Sequence, residues 1–128
     1  MKGHSIKRQI RIKVSSVVAQ ADLYDTRVSE AIWQALPFSS TVSTWGDEIY
    51  FSIPVKIDLE AGQEIVNIGD LGYWPPGNAF CIFFGQTPVS NKDGIRAASP
   101  VDIFGRVLDD ATVFKEIRDG EQIVIESF

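Results

Sequence analysis

The chain is poor in the residues that most hydrolytic and metal sites are built from: one cysteine, one histidine and one methionine among 128 residues. A lone cysteine, Cys81, rules out an internal disulfide and fits a reducing compartment, so a cytoplasmic location is expected. One Cys and one His cannot make a zinc site, and no metal is expected. A Ser-His-Asp or Cys-His arrangement fails for the same shortage, since His4 sits close to the N-terminus, where chains fray. No apolar run approaches the roughly 20 residues of a membrane-spanning helix, so no membrane partner is expected. Met1 to Arg11 carries charges but no continuous apolar stretch, unlike a signal peptide. Basic residues are also scarce: 12 Lys and Arg stand against 17 Asp and Glu, for a net charge of −5. Without a basic stripe, binding to nucleic acid by phosphate neutralisation is not expected. Nothing in the sequence implies a cofactor.

What remains is an ordinary globular composition, 45% hydrophobic and 23% charged, with a length suited to a single domain over 1–128. The chain is organised around Gly69 to Pro88, GDLGYWPPGNAFCIFFGQTP. Pro75 and Pro76 lack N–H donors and cannot sit within a sheet, while Gly77 and Asn78 supply the permissive dihedrals of a turn. Ala79 to Phe84 is apolar without alternation and reads as a strand buried on both faces. Tyr73 and Trp74 end the strand before the turn. Their rings, each with a polar tip, suit the lip of a cleft as well as a core.

On either side the signals are mostly those of short strands. Ile6 to Val14 alternates polar and apolar residues, Ser15-Ser16 turns, and Val17 to Leu23 pairs back. Val28, Ala31, Ile32, Ala35 and Leu36 fall on one helical stripe, capped by Asp25 or Thr26 and ended by Pro37. Thr41 to Trp45 and Glu48 to Val55 read as a hairpin across Gly46-Asp47. Ile57 to Leu59 and Glu64 to Ile68 carry weaker strand signals. Val89 to Ser99, with Asn91-Lys92-Asp93-Gly94, reads as a surface loop. Val101 to Leu108 is a strand interrupted by Gly105. Asp109-Asp110 caps a short helix with Val113, Phe114 and Ile117 facing inward, and Gln122 to Glu126 is a last strand. Phe80, Ile82, Phe84, Ile103, Val107 and Val124 are the expected core.

Several of these segments resemble cyclophilins. Ile103-Phe104-Gly105-Arg106-Val107-Leu108 followed by Val113 to Ile117 is similar to the cyclophilin FGKV strand and second helix. Val17 to Leu36 resembles the strand, L-Y-D turn and first helix. With Trp45-Gly46-Asp47-Glu48-Ile49-Tyr50-Phe51 and the Gly69–Pro88 stretch, the chain resembles a family of small bacterial and archaeal cyclophilin-like proteins of unknown function, from about Ile10 to Ile125. The resemblance implies a mainly β fold: a closed eight-stranded β-barrel with two capping helices. It does not carry the isomerase site across. Cyclophilins use an arginine on the strand after the first helix, and here no Arg occurs between Arg27 and Arg96. The proline-pocket strand reads Ala79-Phe80-Cys81, and Ala98-Ser99-Pro100-Val101 stands where cyclophilins have a Trp and a His.

Three stretches can carry a site. Trp45 and Tyr50 could line a cleft with Asp47 or Glu48 as acceptor or general base; alternatively Asp47 and Glu48 are solvated turn residues. Tyr73, Trp74 and Asn78 could form an aromatic lip with a polar anchor, or a core and a rigid turn. Gln86 and Thr87 could hydrogen-bond a ligand, or simply lead out of a strand. Cys81 reads as a buried, inert small hydrophobe, and Arg96 and Arg106 as surface charges. Three functions follow: a module binding a peptide or small organic ligand in an aromatic cleft, a weak peptidyl-prolyl isomerase, or a small enzyme using Asp47, Glu48 or Asp70. A carboxylate of shifted pKa in a pocket favours the last, and an arginine reaching the cleft favours the isomerase. The oligomeric state is left open.

Overall fold

The computed structural model describes residues 5–128, so His4 and the start of the charged N-terminus lie outside the described residues. Among the described residues ten strands carry the fold: β1 (Ile6–Val14), β2 (Val17–Tyr24), β3 (Phe38–Thr41), β4 (Ser43–Thr44), β5 (Glu48–Ser52), β6 (Gln63–Val66), β7 (Asp70–Trp74), β8 (Ala79–Phe83), β9 (Ile95–Val107) and β10 (Gln122–Ser127). An α-helix, α1 (Arg27–Ala35), follows β2. Thr26 caps it by accepting from the Ser29 N–H at 3.0 Å, and the Ser29 hydroxyl donates to the Phe104 carbonyl at 2.6 Å, tying the helix to β9.

The strands run β3-β10-β1-β2-β9-β7-β8-β5-β4, with β6 added on β9. Every pairing along this path is antiparallel. The expected closed eight-stranded barrel is therefore corrected: among the described residues the ladder is open, with β3 and β4 at its ends. The two end strands are consecutive in the chain: β3 spends its backbone groups on β10, Val42 extends that side by bonding Glu121 and Gly120, and the chain pairs with β5 only from Ser43, so no β3–β5 ladder forms. A side chain crosses the seam instead, the Ser40 hydroxyl donating to the Ser52 carbonyl at 2.8 Å. Beyond Ser52, Pro54 removes a donor and segment 53–62 runs without a strand, so the weak strand expected at Ile57 to Leu59 does not form.

The second expected helix is a 3₁₀ turn, Ala111–Glu116. Three residues per turn puts Ala111, Phe114 and Ile117 on one buried face and leaves Val113 exposed, against the inward position expected for it. The main core is packed by Ile10, Ile12, Leu23, Ile32, Phe51, Phe80, Ile82, Phe104, Ile123 and Ile125, all nearly or wholly buried. Phe51 stacks on Phe80 at 4.9 Å between centroids, and Phe80 meets the Phe104 ring edge-on at 5.0 Å. Val124 is only half-buried because the strand's period of two sends Ile123 and Ile125 inward. Gly105 marks a close crossing: a Cβ there would come within 2.2 Å of the Asp22 carbonyl on β2.

Candidate functional site

Strand parity creates two layers. All five residues of β8 are buried, as its unbroken apolar run predicts. Phe80 and Ile82 face the main core, whereas Ala79, Cys81 and Phe83 join Val66, Ile95, Ala97 and Val101 in a second cluster on the other side of the sheet. The same alternation sends Ile49 and Phe51 of β5 into the main core and Glu48 and Tyr50 to the opposite face. On β7 it separates Tyr73, which goes to the core, from Trp74, which packs against the second cluster.

The second layer leaves a gap. A cavity of about 220 Å³ opens there, with Trp45, Tyr50 and Trp74 as aromatic walls. Glu48 and Cys81 also line it, and Ala97, Ala98 and Val101 of β9 supply a small-residue side. The Tyr50 and Trp74 rings meet at 70° with centroids 6.4 Å apart, forming a corner. Trp74 is held from two directions: its indole N–H donates to the Ser99 hydroxyl at 2.6 Å, and its ring lies over Gly77, where a Cβ would sit 3.1 Å away. The Pro75–Gly77 3₁₀ turn and the left-handed Asn78 (φ 46°) fix the corner below it. Trp45 is set by the hairpin: its N–H donates to the Glu48 carbonyl at 2.9 Å, and Gly46 (φ 61°) presses on Gln86, where a Cβ would approach the carbonyl to 2.8 Å.

Glu48 is the polar centre of this cavity. It is 5% exposed, and burial raises its pKa from 4.5 to about 7, opposed by a hydrogen bond with the Cys81 thiol. Burial, followed by the Glu48 charge, pushes the Cys81 thiol well above its ordinary value. Cys81 thus stays a neutral donor, a poor nucleophile that nonetheless touches the site.

Four of the residues expected at a cleft, Trp45, Glu48, Tyr50 and Trp74, come together here. The other four do not. Tyr73 is fully buried in the main core, its hydroxyl donating to the Val55 carbonyl at 2.7 Å. Asn78 completes the turn and its carbonyl accepts from the Ile53 N–H at 2.9 Å. Gln86 is exposed, and its carbonyl accepts from the Asp47 N–H. Thr87 is buried by its own contacts, with its hydroxyl donating to the Arg96 carbonyl at 2.5 Å and its N–H to the Ser90 hydroxyl. The two remaining carboxylates also face away. Asp47 sits against Gly85 and 3.7 Å from the Lys115 ammonium, and Asp70 accepts from the Asn67 N–H at 2.8 Å in a turn.

The β9 side of the site lies outside the residues expected from the sequence. The surface loop expected from Val89 to Ser99 gives way to a strand from Ile95 onward. The signal was present: Ile95, Ala97 and Val101 share one parity, and all three are buried. No arginine enters the cavity lining. Arg96 pairs with Glu64 at 2.8 Å, and Arg106 is exposed further along β9, across from Asp22 on β2 and Asp70 on β7.

Comparison with known proteins agrees with this architecture. The model of the Cyclophilin-like family matches residues 8–126. The solution structure of a hypothetical protein from Archaeoglobus fulgidus is 38% identical, superposes with a TM-score of 0.82, and covers 100% of both chains. No curated protein matches the chain.

Proposed function

The chain belongs to the cyclophilin-like family, and we propose that it is a binding module whose aromatic cavity holds a small organic ligand or one side chain of a peptide. The observation that carries this reading is the cavity of about 220 Å³, walled by Trp45, Tyr50 and Trp74 with one buried carboxyl. Ligand pockets have this composition, mostly apolar and aromatic with a few placed polar groups. Its volume lies below the roughly 300–1,000 Å³ of sites for drug-sized molecules, so the occupant is a compact group. The Trp74 ring is held by Ser99 and Gly77 before any ligand arrives, which lowers the ordering penalty of binding.

The test is a fragment screen by chemical-shift perturbation on the unmodified protein and on Trp74→Ala. Bound fragments shift the Trp45 and Trp74 indole resonances, and the variant loses these hits while keeping a folded spectrum. Trp74 is half-buried at the edge of the second cluster. Its removal therefore costs less than the ~3–5 kcal/mol of a fully buried tryptophan. Fragments that perturb only other surfaces, or a variant that unfolds outright, argue against the reading.

A second reading, a small enzyme using Glu48 as acid or base, is favoured by one observation: a carboxyl poised near neutral pH in a cavity. The peptidyl-prolyl isomerase reading has less support, because no cavity residue supplies the guanidinium that would hold a prolyl peptide.

A further inference from the structure

We infer that the occupant of the cavity is a small organic cation, an amine or quaternary ammonium group seated between the Trp45, Tyr50 and Trp74 rings and facing the Glu48 carboxyl. This rests on the reading of the cavity as a ligand site and names the chemistry of its ligand.

Three observations converge. First, the walls are aromatic on more than one side. Tyr50 and Trp74 form a corner at 70°, and Trp45 adds a third ring. Aromatic faces attract cations through the ring quadrupole, Trp most strongly. Because the Trp74 N–H is engaged by Ser99, what that ring offers a ligand is its π surface.

Second, the one carboxyl in the lining has no cationic partner there. None of the lining residues is Lys or Arg, whether from the hairpin (Trp45, Tyr50), from β7 (Trp74), from β8 (Cys81) or from β9 (Ala97, Ala98, Val101). The titratable neighbours from these elements are the Cys81 thiol and the Tyr50 phenol, both acids. Asp47, next in the chain, turns outward to Lys115. A buried carboxylate without a counter-ion is costly, and an incoming cation is the group that relieves it.

Third, size and field agree. A trimethylammonium or amine head group is compact enough for about 220 Å³, and a chain of net charge −5 draws cations toward it. Since Glu48 titrates near pH 7, cation binding and loss of its proton are linked, and affinity rises as pH rises through that value.

The experiment compares choline with 3,3-dimethylbutan-1-ol, which has the same shape without the charge. Each is titrated into the protein at about pH 8 and about pH 5, either side of the Glu48 pKa, and the indole N–H resonances of Trp45 and Trp74 are followed, with Trp33 on α1 as an internal control. Choline should shift the Trp45 and Trp74 signals, bind about tenfold more tightly than the alcohol at the higher pH, and weaken at the lower one. Glu48→Gln should bring choline down toward the alcohol and remove the pH dependence. Equal or tighter binding of the neutral alcohol, a flat pH profile for choline, or full choline affinity in Glu48→Gln overturns the cation assignment while leaving a small-ligand cavity standing. If neither compound moves the Trp45 and Trp74 signals, the assignment falls, and the fragment screen then decides whether the cavity binds anything.

Discussion

Replacing Glu48 with glutamine should make the protein more stable, and only above about pH 5. The carboxyl has an ordinary value of 4.5 and is raised to about 7 in the fold by burial. Between those values the folded chain keeps the proton and the unfolded chain releases it. The unfolded state then binds fewer protons, so stability falls as pH rises through this window. A rise from 4.5 to about 7 corresponds to roughly 3 kcal/mol, all of it lost by the time the buried carboxyl ionises. Glutamine keeps the shape of the neutral acid and never ionises. The two proteins should therefore match near pH 4.5 and diverge to about 3 kcal/mol at pH 8, on the order of 10 °C in Tm for a chain of this size.

The assay is chemical denaturation, or thermal melting, of both proteins at half-unit steps of pH. The difference between the two curves is what matters, since every other titrating group is common to both. The groups of opposite sign act elsewhere. Glu30, Asp110 and Asp119 are held below their ordinary values by side-chain hydrogen bonds, from Gln34 and Arg8, from Thr112 and from Thr44 respectively. Their contribution is present above those ordinary values and fades as pH falls through the lowered ones, on the acid side of the Glu48 window. Cys81 stays a thiol throughout, its pKa being raised. Parallel curves from pH 4.5 to 8, or a wild-type protein that is the more stable at pH 8, would refute the reasoning.

Three further outcomes follow from the geometry. Tyr73→Phe removes the donor to the Val55 carbonyl inside the core and should cost about 1–3 kcal/mol in denaturant unfolding; an unchanged midpoint would show that this bond contributes nothing. Asp102→Ala should release segment 53–62, because the buried carboxylate accepts from the Glu60 and Ala61 N–H groups at 2.7 Å each; hydrogen exchange should accelerate at those two amides first, and unchanged protection there would count against the anchor. Ala-Pro peptides should show no isomerisation above background in a coupled assay, since the cavity lining has no arginine; a concentration-dependent rate abolished by cyclosporin would overturn this.

Much of the fold was legible in the sequence where one period dominates. The β1–β2 hairpin, α1 and β8 each show a single clean pattern, and each appears where that pattern places it. Legibility failed where punctuation masked the period. Asn91-Lys92-Asp93-Gly94 does turn the chain, through the Asn91–Gly94 bridge. The turn ends there, however, and Ile95 to Val107 continues as one strand despite Ser99 and Pro100. Closure of the barrel could not be read from strand signals at all. It depends on which strands β3 and β4 pair with, β10 for the one and β5 for the other with no ladder between β3 and β5, and local strand signals do not encode that choice.

The candidate site failed and succeeded on parity. Tyr73 and Trp74 are neighbours on one strand, and a strand points neighbours to opposite faces, so both could not line one cleft. Glu48 and Tyr50, two apart, could and do. The same rule explains how a carboxylate came to be buried at all: at position 48 the chain has left the Gly46-Asp47 turn, and its side chain is committed to the second face beneath Tyr50 and beside Cys81. A solvated turn acid, the plainer expectation for this residue, would titrate at its ordinary value and leave stability flat from pH 5 upward. Packing alone would be served as well by an amide or an aliphatic group, without roughly 3 kcal/mol lost on ionisation. That penalty, carried in a cavity whose other walls are aromatic rings, makes Glu48 the residue on which the binding and catalytic readings both turn, and choline affinity and turnover in Glu48→Gln are the measurements that separate them.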